Sequence, residues 1–163
     1  MNPRLRNMTS LYLVRDDAVL CLYRIGSRVA NGKYIGSAGG HFEECELNDP
    51  LKCILREMQE ELGLLESDVE GLSLRYITHR LVGGEIRQNY YFFARLKEER
   101  ILNSTEGNLR WVLNEEIPNL TMPISAKHMI LHYLAEGQFT DCIYCGITEE
   151  TGTTFVPMVD FEG

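Results

Sequence analysis

GGHFEECELNDPLKCILREMQEELGL, from Gly39 to Leu64, is the stretch whose reading decides the fold. Asp49 followed by Pro50 is a helix start. The aspartate carboxylate can satisfy an orphan backbone N–H, and proline suits the first helical position. Gly63 suits the end of the helix. Between them Leu51, Ile54, Leu55, Met58 and Leu62 recur at helical spacing, which predicts a helix over Pro50–Leu62 with one buried face. Glu57, Glu60 and Glu61 stand at i, i+3 and i+4. They share a different face, spanning roughly 100° of the helix surface.

Three carboxylates on one face repel one another and raise their own pKa values unless a cation is present. An all-oxygen cluster suits Mg²⁺ or Mn²⁺, hard ions that also bind phosphate oxygens. Such an ion can polarise a phosphoryl oxygen, orient a diphosphate and activate water. The glycines ahead of the helix let the backbone approach closely, so the Gly39 carbonyl is a candidate further ligand. Taken alone, E-x-x-E-E is more often a solvated acidic face. The context shifts the balance: a glycine-rich entry, Glu46 ahead of a capped helix, Arg56-Glu57, Glu60-Glu61, then Gly63-Leu64.

This set of residues resembles the Nudix box: G, five residues, E, seven residues, then R-E-U-x-E-E-x-G-U, where U is a bulky aliphatic. Gly40 and Glu46 match, and Arg56 to Leu64 matches throughout. Lys33-Tyr34-Ile35 and Leu109 to Val112, with Glu115 to Pro118 after, also look like elements that flank the box. One departure stands out, since nine residues rather than seven separate Glu46 from Arg56. The extra pair fits most simply in the loop 47–49, where an insertion is cheap. It leaves the register of the helical carboxylates intact. It weakens the expectation that Glu46 braces Arg56, with Glu43 or Glu44 as substitutes. Cys45 also stands where a glycine is common.

The resemblance implies an α/β fold, an α/β/α sandwich around a mixed sheet. It implies a metal-dependent hydrolase of a nucleoside diphosphate linked to another group, acting by water attack on a phosphorus. By position, Glu57, Glu60, Glu61 and the Gly39 carbonyl would hold Mg²⁺ or Mn²⁺. Glu57, Glu60 and Arg56 would be catalytic, and Gly40, Glu46 and Gly63 structural. Glu57 is one candidate general base; Glu106, Glu115 and Glu116 are candidates outside the box. Arg24 and Lys33, with His41, are candidate cations for the remaining phosphates, against ordinary surface charge for each. The aromatic-proline motif of NADH pyrophosphatases is missing, as is the upstream coenzyme A signature. No proline stands near His79, where ADP-ribose enzymes tend to carry one. Nucleoside triphosphates, oxidised purine nucleotides included, are the default substrates. The run Gln88 to Phe93 offers amides and rings to a base, but reads more simply as half core and half surface. A Nudix-fold sensor that binds a nucleotide without turnover is the alternative. The three retained carboxylates favour the hydrolase.

Outward from the box, the 163 residues suit one domain. Residues 1–137 read as the hydrolase domain, with the box at 39–64, and 138–163 as a C-terminal extension packed on it. Leu11 to Val14 and Ala18 to Tyr23 are strand candidates, Leu72 to Arg80 and Glu85 to Leu96 a hairpin, and Leu109 to Leu113 a short strand. Ser125 to Glu136 reads as a second helix with Ser125 as its cap. Cys142 to Ile147 and Thr153 to Val159 have strand composition, with no indication of where they pack.

The net charge of −8 argues against broad nucleic-acid binding, which needs many phosphate contacts, though not against a small phosphorylated substrate. No apolar run is long enough for a membrane span or a signal peptide, so the expectation is a cytosolic protein with reduced cysteines. Cys142-x-x-Cys145 lacks the second pair of a zinc site. His128 and His132 lack the acidic neighbour of a zinc-protease helix. Both pairs, and Trp111, read as structural.

Overall fold

The computed structural model describes residues 1–26, 28 and 30–161. One mixed sheet runs through it. In chain order the elements are β1 (Arg4–Val14), β2 (Ala18–Arg24), β3 (Tyr34–Ile35), α1 (Pro50–Leu62), β4 (Val69–Val82), β5 (Glu85–Leu96), β6 (Gly107–Leu113), α2 (Ile124–Ala135), β7 (Ile143–Glu149) and β8 (Gly152–Met158). The strands lie in the order β3-β2-β1-β5-β4-β7-β8, with β6 also paired to β2. β1 runs parallel to β5, and β4 parallel to β7; the other pairings are antiparallel.

Side chains alternate between the faces of a strand, and β1 divides accordingly. Leu11 and Leu13 join Leu20 and Phe92 beneath Ile54, Met58 and Leu62 of α1. Tyr12 and Val14 join Tyr91 and Phe93 beneath Ala126, Met129, Ile130 and Tyr133 of α2. The Phe93 and Tyr133 rings stack at 3.8 Å. Each such side chain removed from water contributes about 1.5–3 kcal/mol, which is what holds a helix on each face. The two layers of helix around one mixed sheet are the α/β/α architecture expected from the sequence.

Helix α1 has the expected bounds. Asp49 accepts the Lys52 N–H at 3.1 Å, and the Gly63 amide donates to the Gln59 carbonyl at 2.9 Å. Three other expectations need correction. β1 starts at Arg4 rather than Leu11, because ten consecutive pairings with β5, from Arg4↔Glu85 to Leu13↔Ala94, hold its polar first half. The hairpin strand β4 is also longer than expected, starting at Val69. Ser125 does not cap α2: Pro123 precedes the helix and Ser125 lies inside it, buried.

The C-terminal residues continue the same sheet. β7 lies beside β4 with Tyr76↔Tyr144 in register, and those two rings stack at 5.3 Å. Cys142 and Cys145 are free thiols. His128 bonds the Thr153 hydroxyl at 2.9 Å and His132 the Tyr76 hydroxyl at 2.7 Å, so the pair serves packing. Trp111 is half-buried beneath the Arg15 guanidinium, 3.8 Å from its ring. Among the described residues no helix is long and apolar enough to cross a membrane.

Candidate active site

The loop from Ala38 to His41 runs antiparallel alongside β1, bridging Leu11 at Ala38 and Met8 at His41. Leu11 N–H donates to the Ala38 carbonyl at 2.7 Å and Thr9 N–H to the Gly40 carbonyl at 2.9 Å. Between them the Gly39 N–H faces the other way and donates to Glu61 Oε2 at 2.9 Å. At Gly39 backbone leaves no room for a side chain, and at Gly40 a side chain would displace a carboxylate. A Cβ on Gly39, whose φ is 149°, would stand 2.2 Å from the Thr9 carbonyl oxygen. A Cβ on Gly40 would stand 2.3 Å from Glu57 Oε1. The loop therefore lies directly against two of the three helical carboxylates.

Arg56 organises the rest. Its Nε donates to Glu46 Oε1 at 2.7 Å and its Nη2 to Glu46 Oε2 at 3.0 Å, a two-pronged pair. Its Nη1 reaches Glu57 at 2.8 Å and Glu60 at 3.1 Å, and Nη2 also donates to the His41 carbonyl at 3.1 Å. The doubt that the longer loop cast on the Glu46–Arg56 pair is thus corrected. A tight turn over 46–49, closed by the Asp49 N–H donating to the Glu46 carbonyl at 2.8 Å, takes up the longer loop before α1. The Glu43 N–H donates to Glu46 Oε2 at 2.9 Å and aims that carboxylate at the helix. Glu43 itself stays at 3.8 Å from Arg56 and exposed, so it supplements the pair and does not replace it.

The electrostatics divide the carboxylates. The Arg56 hydrogen bonds hold Glu46 well below the usual range, at about 2. Burial pushes Glu61 up to about 7, against the lowering effect of the Gly39 N–H. Burial also raises Glu57, against the effect of Arg56. Glu106 contributes to the rise of both, which places its charge close to α1. Glu106 pairs with Arg24 at 3.2 Å. Glu116 is engaged elsewhere, accepting the Leu113 N–H at 3.1 Å and facing Arg110 at 3.6 Å. Of the candidate bases outside the box, the structure brings Glu106 near α1 and leaves Glu116 away from it. Cys53, buried beneath the loop, bonds Thr9 Oγ1 at 3.3 Å and is pushed up to about 11, so it is an inert thiol there.

Among the described residues no three acidic, histidine or cysteine side chains already converge into a metal cage. Glu57 and Glu60 lean on Arg56, and Glu61 on the Gly39 amide. The donor set nevertheless fits a hard divalent ion. It is all oxygen, and two of its carboxylates are raised, chiefly by burial and further by neighbouring carboxylates, so a cation there would be favoured.

On the opposite face of the sheet, Gly39 also borders a cavity of about 580 Å³ under the start of α2. Its described lining includes six cations, Arg6, Arg24, Arg28, Lys33, Arg80 and Arg87, and no carboxylate. Arg24 and Lys33 were candidates from the sequence. Arg6, Arg80 and Arg87 were not, because only strand register brings them together. His41 is exposed at the cavity's edge, where Arg6 Nη2 lies 3.1 Å from its Nε2; partial burial, and Arg6 after it, lowers its pKa. Within Gln88 to Phe93, Asn89 and Tyr91 line the cavity, while Phe92 and Phe93 are core.

A two-helix, mixed-sheet sandwich with a carboxylate helix against a glycine loop and a cationic cavity beside it defines a class: hydrolases of phosphoanhydrides. The comparisons give the family. The family model described as NUDIX domain matches residues 4–133, and the chain belongs to the Nudix family, whose hydrolases act on nucleoside diphosphates linked to another group. Curated proteins give no match. Solved structures share the fold. The mutator MutT protein of Bacillus halodurans is 23% identical, covering 93% of this chain and 97% of its own, at a TM-score of 0.65. The NUDIX hydrolase of Nitrosomonas europaea is 19% identical, covering 91% and 80%, at 0.66. The NUDIX domain of Shewanella oneidensis NrtR, determined with ADP ribose, is 14% identical, covering 86% and 90%, at 0.60.

Proposed function

We propose that this protein hydrolyses a phosphoanhydride bond of a nucleotide with Mg²⁺ or Mn²⁺, nucleoside triphosphates being the first group to test. One observation carries the reading: the α1 carboxylates and the six-cation cavity meet at Gly39. Glu57, Glu60, Glu61 and the Gly39 carbonyl are the residues that would hold the ion. When bound, the ion offsets negative charge on the reacting oxygens of the diphosphate. Arg24 and Lys33, from the β2–β3 side, hold the phosphates outside the scissile bond. Arg56 sets the positions of Glu57 and Glu60, and Glu46 sets Arg56. Glu57, raised by burial, is alternatively the group that takes the proton of the attacking water, in which case Glu60, Glu61 and the Gly39 carbonyl would hold the ion. The new P–O bond forms as the anhydride P–O bond breaks, leaving two phosphorylated products. Glu106, held by Arg24, is the second carboxylate within reach of this role.

The test is release of phosphate and pyrophosphate from a panel with and without Mg²⁺. The panel holds nucleoside triphosphates, 8-oxo-dGTP, ADP-ribose, dinucleoside polyphosphates and nucleotide sugars, with Glu60→Gln alongside. Metal-dependent turnover that collapses in the variant is the expected result. Tight nucleotide binding with no turnover anywhere in the panel would instead make the protein a sensor.

A further inference from the structure

Three arginines of the cavity form a row that the diphosphate does not need. In the sheet Arg6 of β1 is paired with Arg87 of β5, and Arg87 with Arg80 of β4. Residues paired across strands point to the same face, and all three line the cavity. At about 4.8 Å per strand the row spans roughly 10 Å. Arg6 Nη2 meets His41 Nε2 at 3.1 Å, so the row starts at the box loop and runs away from it. Arg24 and Lys33 belong to the other side of β1 in the strand order.

Like charges directly across a ladder destabilise a sheet, so the row has a cost that something must offset. The protein supplies little. Glu85 is shared between Arg87, at 3.0 Å, and Arg6, at 3.6 Å. Among the described residues no ion pair of Arg80 is recorded, and Arg6 Nε is buried with no hydrogen-bond partner. Two of the three guanidinium groups thus share one carboxylate, and the third has none among the described residues, in a protein of net charge −8. Planar guanidinium forks match phosphate oxygens in pairs, and a cleft lined by one sign of charge focuses the field on its ligand.

We propose that Arg6, Arg87 and Arg80 form a second anion subsite, so that the preferred substrate is a nucleotide carrying a phosphate monoester set apart from its diphosphate. The inference rests on the reading that this cavity holds a nucleotide. It narrows the substrate class to molecules with two separated anionic groups.

The experiment uses matched pairs that differ in one remote phosphate. ADP-ribose is paired with its 2′-phosphate, and dephospho-coenzyme A with coenzyme A, which separates the two ribose positions. Affinities are measured by equilibrium titration in EDTA for the wild-type protein, R80Q/R87Q and R80K/R87K. In the wild type the phosphorylated member of at least one pair binds tenfold or more tightly. That ratio falls to within twofold of unity in R80Q/R87Q and recovers above threefold in R80K/R87K. Each ratio is internal to one preparation, so partial misfolding of a variant cancels; Arg80→Gln alone is the milder second variant. A wild-type ratio near unity in both pairs, no binding of any member, or a preference that survives R80Q/R87Q overturns the subsite. Turnover with Mg²⁺ is read separately. Preferential binding without hydrolysis upholds the subsite and refutes the hydrolase, whereas hydrolysis without preference refutes the subsite alone.

Discussion

Replacing Glu46 with alanine removes the brace that the longer loop was expected to loosen. Glu46 is 1% exposed, and both its oxygens take Arg56 donors. Its carboxyl is held at about 2, against an ordinary value of 4.5. A displacement of that size corresponds to about 3 kcal/mol of preference for the charged, paired state. Removing one partner from a buried pair costs about 3–5 kcal/mol on independent grounds, because the other charge is left uncompensated. Arg56 keeps Glu57 and Glu60, so the lower end applies. Glu46→Ala should therefore lose about 3 kcal/mol, which for a domain of this size lowers Tm by about 6–12 °C.

Urea and thermal unfolding of the wild type, Glu46→Ala, Glu43→Ala and Arg56→Ala, with the Glu46/Arg56 double variant, give the test. Glu43 is 60% exposed and 3.8 Å from Arg56, so its removal should cost under about 0.5 kcal/mol. The pH dependence has a fixed sign. A depressed carboxyl contributes fully above pH 4.5 and loses its contribution as pH falls through about 2. The gap between wild type and Glu46→Ala should be full at pH 7 and narrow steadily below pH 4.5. A loss below 1 kcal/mol at pH 7, or an equal loss in Glu43→Ala, would refute the brace.

Glu60→Gln should cut kcat at least about 100-fold while leaving Tm within a few degrees, since Glu60 is 59% exposed and its charge serves the reaction more than the fold; parallel kinetics and calorimetry decide it. Gly40→Ala should push the Glu57 carboxylate off its position and lower kcat/KM about 100-fold, and wild-type activity in that variant would mean that Glu57 has room to move. Glu61 has the opposite pH sign to Glu46. Its folded value of about 7 lies above 4.5, so stability is complete below pH 4.5 and falls as pH rises through 7. In EDTA, Glu61→Gln should therefore gain about 2 kcal/mol relative to wild type between pH 4 and pH 8, read by urea unfolding. Mg²⁺ at about 100 times its Kd should raise wild-type stability by about 2.7 kcal/mol, and a Tm that ignores Mg²⁺ at pH 8 would count against the metal reading.

What was legible in the sequence was what local chemistry dictates. Helix α1 carries its start, stop and period within its own residues, so its bounds and the shared face of Glu57, Glu60 and Glu61 could be read without the fold. What depends on pairing could not. The first half of β1 is polar and reads as a tail until β5 lies beside it. Arg6, Arg80 and Arg87 are unremarkable surface cations in one dimension and become a row only through the register of β1, β5 and β4. His41 illustrates the same limit, since its lowered pKa follows from partial burial and from Arg6, neither of which its sequence neighbours show. The Glu46–Arg56 pair erred in the other direction. Counting residues suggested a broken brace, but a tight turn closed by the Asp49 N–H on the Glu46 carbonyl brings the ends of the longer loop to the same place as a shorter one.

The three box carboxylates belong to α1, with Arg56 beside them, and six cations line the cavity under α2, Arg24 among them also pairing with Glu106. Gly39 touches both, its backbone N–H donating to Glu61 on one side while the residue lines the cavity on the other. A polyphosphate drawn in by the cations must reach past this glycine toward three negative side chains. Without a further cation that approach is repulsive, and Glu57 and Glu61, raised chiefly by burial, are raised further by neighbouring carboxylates before any substrate arrives. The arrangement therefore ties recognition to chemistry. The cationic face can bind a nucleotide alone, but the carboxylate face accepts its diphosphate only when positive charge is shared between them.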